Sequence, residues 1–507
     1  MQYEIKGNYF NGSFVTIERD SLETAPRYVE KKCPADLNLN LWKFPISFDH
    51  IDAVIESANL GFETWRKTTI EERVECLQRF KAVVQEREQE IATAIALESG
   101  KPLWEALTEA KALAAKVDVT IAEGLPRIHN KVHENILPNT KGHVFYKPIG
   151  PCFVIGPFNF PCHLANGQII NALISGNSVI FKPSDKTSYS GQLLVECFHQ
   201  AEFPSGVVNL IQGDGEVARR ILRDKAIKGI FFTGSKEVGL KVLKETYMDL
   251  SKNVNLELGG KNPSIITDSV SVDNVLPELI RGCFLTAGQR CTSTSLVVVH
   301  ENIINELIDK FHQLAKKLIV DHPINHEETP FMGPLIDGRA VDTYLLFVGM
   351  GSREGLEEIM RGKSLEKATP GHYVTPSIHL AKSFDPKSHF LANEIFGPNA
   401  TFIPYKDLDE AFEIANSTEY GLAASIFSKD HGDFERAVQT LDSGLVNFNR
   451  STVGASSKLP FGGVKNSGNY KPAAITTIDH CVYQVASLEV DSSELDPSLE
   501  ITGLKKD

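Results

Sequence analysis

The chain has no close-spaced cysteine pair, no long apolar run and no excess of positive charge, and each absence removes a class of function. Its eight cysteines (Cys33, Cys76, Cys152, Cys162, Cys197, Cys283, Cys291 and Cys481) are scattered, with no CxxC pair and no Cys/His cluster. No zinc-like ligand set is therefore expected, and the expected metal is none. Scattered thiols in a chain of 507 residues fit a reducing compartment better than a disulfide framework. No stretch approaches ~18 uninterrupted apolar residues, which argues against a transmembrane helix. The opening MQYEIKGNYFNGSFVTIERD has no basic start followed by an apolar run and does not read as a secretory signal. The expected location is the cytosol, with no membrane partner. With 52 Lys and Arg against 65 Asp and Glu, the formal net charge is −13. Such a chain repels phosphate backbones, so no nucleic-acid partner is expected. Internal repeats and low-complexity tracts are also missing.

What is present is an ordinary globular composition, 42% hydrophobic and 23% charged. The length suggests about three domains and a core that needs no staples. YFNGSFVT at 9–16 reads as a hairpin turning at Asn11-Gly12. Ala58, Phe62 and Trp65, then Leu77, Phe80 and Val83, recur at helical spacing, so 47–123 is expected to be several helices. Residues 130–149 read as two extended arms joined at Pro138-Asn139-Thr140, too thin to hold a core of their own. Five apolar runs follow, at 152–155, 178–181, 207–211, 230–232 and 254–258, separated by helical stretches. That alternation predicts a parallel sheet covered on both faces. A second α/β series is expected from strands near 264–266, 295–299 and 446–448 and a helix at 303–318. From Ser487 onward the polar segment reads as a mobile tail or as an arm that orders on another subunit.

In open parallel sheets, ligands bind beyond the carboxyl ends of the strands. The residues there are Ile155, Gly156, Pro157, Phe158 and Asn159; Lys182, Ser184 and Asp185; Gly215; Thr233, Gly234 and Ser235; and Glu257, Leu258 and Gly259. This rim suits a dinucleotide. Gly234 lets the backbone approach closely, and Ser235 opens a helix whose free amides suit a pyrophosphate. Lys182 and Asp185 suit ribose hydroxyls, and a carboxylate at 185 favours NAD over NADP. Gly213-x-Gly215-x-x-Ala218 imitates a dinucleotide fingerprint but follows the third strand and lacks the distant acidic partner, so a helix-starting turn is the plainer reading. Cys291 stands in AGQRCTS, a polar bend after a helix expected to end near Ala287. That setting suits a nucleophile better than those of the other seven thiols, although a lone cysteine is ordinarily a small buried hydrophobe.

Seven motifs occur in order: IGPFNFP (155–161), KPSD (182–185), FTGS (232–235), ELGG (257–260), AGQRC (287–291), EIFGP (394–398) and FGGVKNSG (461–468). Together they resemble the aldehyde dehydrogenase superfamily from about Tyr9 to Val485. The resemblance implies two Rossmann-like α/β domains with a β-ribbon for oligomerisation. It assigns 1–129 and 150–258 to NAD binding, 259–465 to catalysis, and 130–149 with 466–507 to the ribbon and a C-terminal extension. It implies Cys291 as nucleophile, Glu257 as the base for the deacylating water and Asn159 as an oxyanion donor beside the Cys291 N–H. Lys182 and Glu394 match ribose contacts, Phe396 a nicotinamide contact, and Gly234 and Ser235 the pyrophosphate site. Asp185 stands where the family often has Glu. The implied partners are a small aldehyde and further copies of the chain, as homodimer or homotetramer.

Within the family, residues 447–474, 156–167 and 286–293 resemble members that oxidise N-succinylglutamate 5-semialdehyde, of arginine catabolism. Arg450, Ser456 and Ser457, with Phe461, border the implied aldehyde tunnel, where a guanidinium or hydroxyl cluster suits a carboxylate. Gly167, one turn after Leu164, would widen that tunnel. Arg290 is a substrate clamp or, more simply, a brace for the loop. Glutamate and succinate semialdehydes stay open as substrates. A thiol esterase working without NAD, or a role without chemistry, also stays open.

Overall fold

The computed structural model describes residues 2–18, 27–325, 327–491, 493 and 502–503. Two seven-stranded sheets organise them. In the first, five parallel strands stand in the order Asn253–Glu257, Gly229–Thr233, Cys152–Ile155, Val179–Lys182, Val208–Leu210. They match the five apolar runs, and almost every residue in them is buried. From Cys152–Ile155 the chain winds outward first one way and then the other. The crevice at such a reversal, beyond the carboxyl ends, is where this class of sheet accepts ligands. The hairpin Asn8–Phe10 and Ser13–Val15 extends the far edge antiparallel, with Tyr9 opposite Leu210. Its turn residues Asn11 (φ 52°) and Gly12 (φ 81°) are both left-handed, which a tight hairpin turn requires.

The 47–123 region forms four helices, Ile51–Trp65, Ile70–Glu86, Glu88–Ser99 and Leu103–Val119, and a π turn at Thr120–Gly124. A capping box between Thr69 and Glu72 starts the second. Left-handed Gly100 ends the third. Trp65, Leu77 and Phe80 are buried, so the apolar stripe faces the core. The hairpin Tyr28–Cys33 with Asp36–Pro45 was not expected from the sequence, where Lys31, Lys32, Asn38 and Asn40 dilute the strand pattern.

The second sheet runs Glu357–Met360, Ser377–Leu380, Asn399–Tyr405, Thr294–His300, Asn262–Ile266, Ala423–Phe427, Leu445–Phe448. Four of these strands escaped the sequence reading. Polar residues inside this sheet satisfy one another, Ser264 with Thr294 and Ser425, and Asn399 with Ser377, which breaks up the apolar signal. The first sheet ends at Glu257 and the second begins at Asn262, so the Gly259-Gly260 link joins them.

The ribbon is a third sheet, Lys131–Leu137, Thr140–Pro148 and Val482–Val490, with Thr140–Pro148 in the centre. The stretch from 466 to 481, expected to belong with the ribbon, instead lies against the first sheet: Leu258 N–H donates to Ser467 O and Ala473 N–H to Glu257. Most of the polar tail beyond Val490 lies outside the described residues. No helix among the described residues is long and apolar enough to cross a membrane.

Candidate active site

A cleft of about 1020 Å³ opens at the carboxyl ends of the first sheet. Cys291, Glu257 and Asn159 all line it, from three separate stretches of chain. So do the fifteen rim and motif residues singled out for a dinucleotide: Ile155, Gly156, Pro157, Phe158, Lys182, Ser184, Asp185, Gly215, Thr233, Gly234, Ser235, Leu258, Gly259, Glu394 and Phe396.

Cys291 is half-buried, whereas the other seven thiols are buried. The helix before it, Val272–Phe284, ends three residues earlier than expected. Thr286 (φ 55°), Ala287 (φ 52°) and Gly288 (φ 70°) then turn left-handed in succession. Such backbone persists only where its surroundings over-determine it, and here they do. Buried Glu105 accepts from the Thr286 N–H and hydroxyl and from the Arg290 guanidinium. Arg290 also donates to Thr286 Oγ1 at 2.9 Å and lies over the Phe160 ring. Burial pushes Glu105 up, but Arg290, Lys101 and Thr286 outweigh it and hold the carboxyl below its ordinary range. Arg290 is thus occupied as a brace. On the far side of the sulfur, Asn262 Nδ2 donates to Cys291 O (2.7 Å) and Ser293 O (2.9 Å). Burial, with Glu394 and Glu257 nearby, pushes the Cys291 thiol up to about 12.

Asn159 is buried, and its Nδ2 donates to Gln289 O at 2.9 Å. An amide carries two N–H groups, so one is left over from the Gln289 contact in a residue that lines the cleft. Glu257 ends its strand with one oxygen accepting from Ala473 N–H at 3.2 Å and Oε2 without a partner among the described residues. Burial pushes its carboxyl well above the ordinary carboxylate range. Glu394 Oε1 accepts from Gly260 N–H at 3.0 Å, and burial raises its carboxyl to about 7. A side chain at Gly259 would collide with Glu394, its Cβ standing 2.0 Å from Oε2. Phe396, left-handed at φ 52°, meets Phe158 edge-on at 5.8 Å.

The two helix starts on the rim differ. Asp214 caps its own helix, Gly215–Arg223, by accepting from Glu216 and Val217 N–H, so those amides are taken. Ser235 reaches only Val238 N–H, at 3.4 Å, leaving the first amides of Lys236–Thr246 facing the cleft. Lys182 donates to Pro183 O at 3.0 Å, and Asp185 is exposed.

Leu164 lines the cleft, but Gly167, Arg450, Ser456, Ser457 and Phe461 do not. Arg450 and Ser456 are exposed. The turn after Phe461 passes Glu257: a Cβ at Gly462 would stand 3.1 Å from Oε1. The opposite wall, not foreseen from the sequence, is made by Ile336, Asp337 and the helix Gly338–Arg353, with Arg339, Thr343 and Phe347 lining the cleft. Asp337 caps that helix and pairs with Lys186 at 2.7 Å across the cleft. An Asp-Gly step before a helical pattern was the available signal. Gln289 and Asn262, which hold the nucleophile bend, were also missed.

Residues 23–485 match the model of the aldehyde dehydrogenase family. An N-succinylglutamate 5-semialdehyde dehydrogenase of Novosphingobium aromaticivorans is 36% identical over 445 residues, covering 87% of this chain and 92% of that protein. Among solved structures, a 1-pyrroline-5-carboxylate dehydrogenase from Thermus with bound NAD superposes with a TM-score of 0.88 at 27% identity, covering 96% of this chain and 93% of the other. An NAD-dependent aldehyde dehydrogenase from Sinorhizobium meliloti gives 0.90 at 26% identity, covering 97% and 96%.

Proposed function

Because the chain belongs to the aldehyde dehydrogenase family, we propose that it oxidises an acidic semialdehyde, N-succinylglutamate 5-semialdehyde before others, to the carboxylic acid with NAD. The observation that carries this reading is a single cleft holding Cys291, Glu257 and Asn159 beside a rim of the kind a dinucleotide needs. The rim fits NAD on its own terms. The Ser235 helix start offers amides to a pyrophosphate, Lys182 and Glu394 offer partners to ribose hydroxyls, and Gly259 keeps the backbone clear where a Cβ would strike Glu394. NAD seated there supplies the hydride acceptor. The domain assignment follows: first sheet for the cofactor, second for the nucleophile.

The chain's own residues do the remaining work. Once the Cys291 thiol has lost its proton to Glu257 or to water in the cleft, attack of its sulfur on the aldehyde carbon places negative charge on the former carbonyl oxygen. The spare Asn159 N–H and the Cys291 N–H are the donors for it, each worth ~3–4 kcal/mol in such sites. After oxidation the acyl group is held on Cys291 as a thioester. Glu257 Oε2, buried and unpartnered, takes a proton from the water that releases the acid. Its raised proton affinity makes it a stronger base than an exposed carboxylate.

The ribbon leaves Val132, Ile136, Leu137 and Leu488 more than half exposed. Apolar side chains on an open strand edge favour pairing with another sheet, so we assign it to a second copy, in a cytosolic homodimer or homotetramer. The testing experiment is NAD-coupled turnover of N-succinylglutamate 5-semialdehyde against glutamate and succinate semialdehydes, with kcat/KM expected at least about tenfold higher for the first. Cys291→Ala should abolish oxidation while NAD still binds. Ester cleavage with no NADH from any semialdehyde would favour the thiol esterase instead.

A further inference from the structure

Helix Leu103–Val119 packs along helix His163–Ile174, and between them the fold buries a cation it does not answer. Lys116 is 2% exposed, and its Nζ has no hydrogen-bond partner among the described residues. The other buried cations Lys31, Arg73, Lys101, Lys182 and Lys261 each donate to a carbonyl or a carboxylate. A lone ammonium held out of water is costly unless something pairs it.

Its surroundings look prepared for a polar guest. The Lys116 stem runs past Gly167, with Cε 3.5 Å from where a Cβ would stand. His163, Leu164 and Gly167 are part-exposed on a helix whose other residues are buried, so open space follows this line. Leu164 carries it to the cleft that contains Cys291. Thr120 Oγ1, one turn beyond Lys116, also lacks a partner, as do His163 Nδ1 and Asn171 Oδ1 on either side of Gly167. Thr120 and Asn171 both close on the position where Gly124 lacks a side chain. Buried polar groups are normally paired, and here several unpaired ones lie on the two helices, and the turn after the first, that enclose Lys116.

We propose that Lys116 selects acidic semialdehydes, its ammonium meeting a substrate carboxylate while the aldehyde end reaches Cys291, and that Gly167 keeps its path clear. This deepens the function proposed above and rests on it. A carboxylate is the ligand class that answers a buried ammonium with charge and hydrogen bonds together. Burial brings the Lys116 ammonium down to about 8. His163 on the facing helix is close enough to feel Lys116 together with Lys101 and Glu109, and Glu109 is already paired with Lys101. An incoming carboxylate would therefore stabilise the charged form.

The test compares the full-length wild type with Lys116→Met, and with Lys116→Gln should the first not fold. N-succinylglutamate 5-semialdehyde and hexanal serve as substrates, with NAD saturating. Lys116→Met should lower kcat/KM for the acidic substrate ~50-fold, mainly through KM, and leave hexanal within about twofold. Lys116→Arg should recover part of the loss. The melting temperature of Lys116→Met should hold or rise, since an unpaired charge has left the interior. An unchanged ratio between the two substrates would overturn the proposal, as would an equal loss on both. A wild type that prefers hexanal would instead remove the substrate reading on which it rests.

Discussion

The cofactor wall of the cleft and the substrate wall proposed above are built by different means. The cofactor wall is mostly backbone: strand ends, a free helix start at Ser235, and glycines at 234 and 259 where a side chain would collide with Phe232 or Glu394. The proposed substrate wall is mostly lone side chains, Lys116, Thr120, His163 and Asn171, which stand behind Leu164 rather than in the cleft itself and leave polar atoms unpaired among the described residues. Backbone amides and small residues recognise what all dinucleotides share, whereas single side chains recognise one substrate. A family can thus keep the first wall and exchange the second at little cost to its fold.

Glu257 lines the cleft with Cys291, and removing its acidity should have the largest effect. Glu257→Gln keeps the shape and the Ala473 contact but cannot accept the water's proton. Steady-state turnover should fall ~100- to 1000-fold while a stoichiometric burst of NADH persists. The wild-type rate should rise with pH, because Glu257 in its proposed role works only when ionised. Burial favours its protonated form, so this limb should extend to higher pH than for an exposed carboxylate, and it should vanish in the variant. Undiminished steady-state turnover after the burst would mean that Glu257 is not the base, and stopped-flow absorbance decides it.

The same contrast explains what could be read from the chain. Five apolar runs with small residues after each strand mark a parallel sheet and its rim, because the physics there is periodic and local. Every residue singled out for the cofactor lines the cleft. The wall from helix Gly338–Arg353 was not visible, since nothing local says which distant helix folds over a rim. Lys116 reads as one more surface lysine on an amphipathic helix. Only packing against Gly167 reveals it as buried and unanswered. For the loop residues Arg450 and Ser456 the chemistry suits a carboxylate, but both are exposed and neither lines the cleft.

A smaller effect should come from the cofactor wall. In Gly259→Ala the new methyl would meet Glu394 Oε2, the far end of a side chain that can swing away. The fold should survive, with KM for NAD rising ~10-fold and kcat changing less. If both walls bound substrate and cofactor jointly, KM for the aldehyde would rise equally. Initial-rate kinetics with each reactant varied in turn separates the two outcomes.

The smallest effect concerns Asp185. Its carboxylate is exposed on the rim, where repulsion of a 2′-phosphate is screened by water and amounts to ~1 kcal/mol per charge pair at close range. The neighbouring cations offset it little: Lys186 is held by Asp337 at 2.7 Å, and Lys182 is turned to Pro183 O. The wild type should therefore prefer NAD to NADP by only ~5- to 10-fold in kcat/KM from this charge. Asp185→Asn should remove most of that margin, and raising the salt concentration should shrink it in the wild type but not in the variant. If the preference survives Asp185→Asn, discrimination comes from the shape of the backbone wall rather than from charge, which would make the cofactor side a purely steric device.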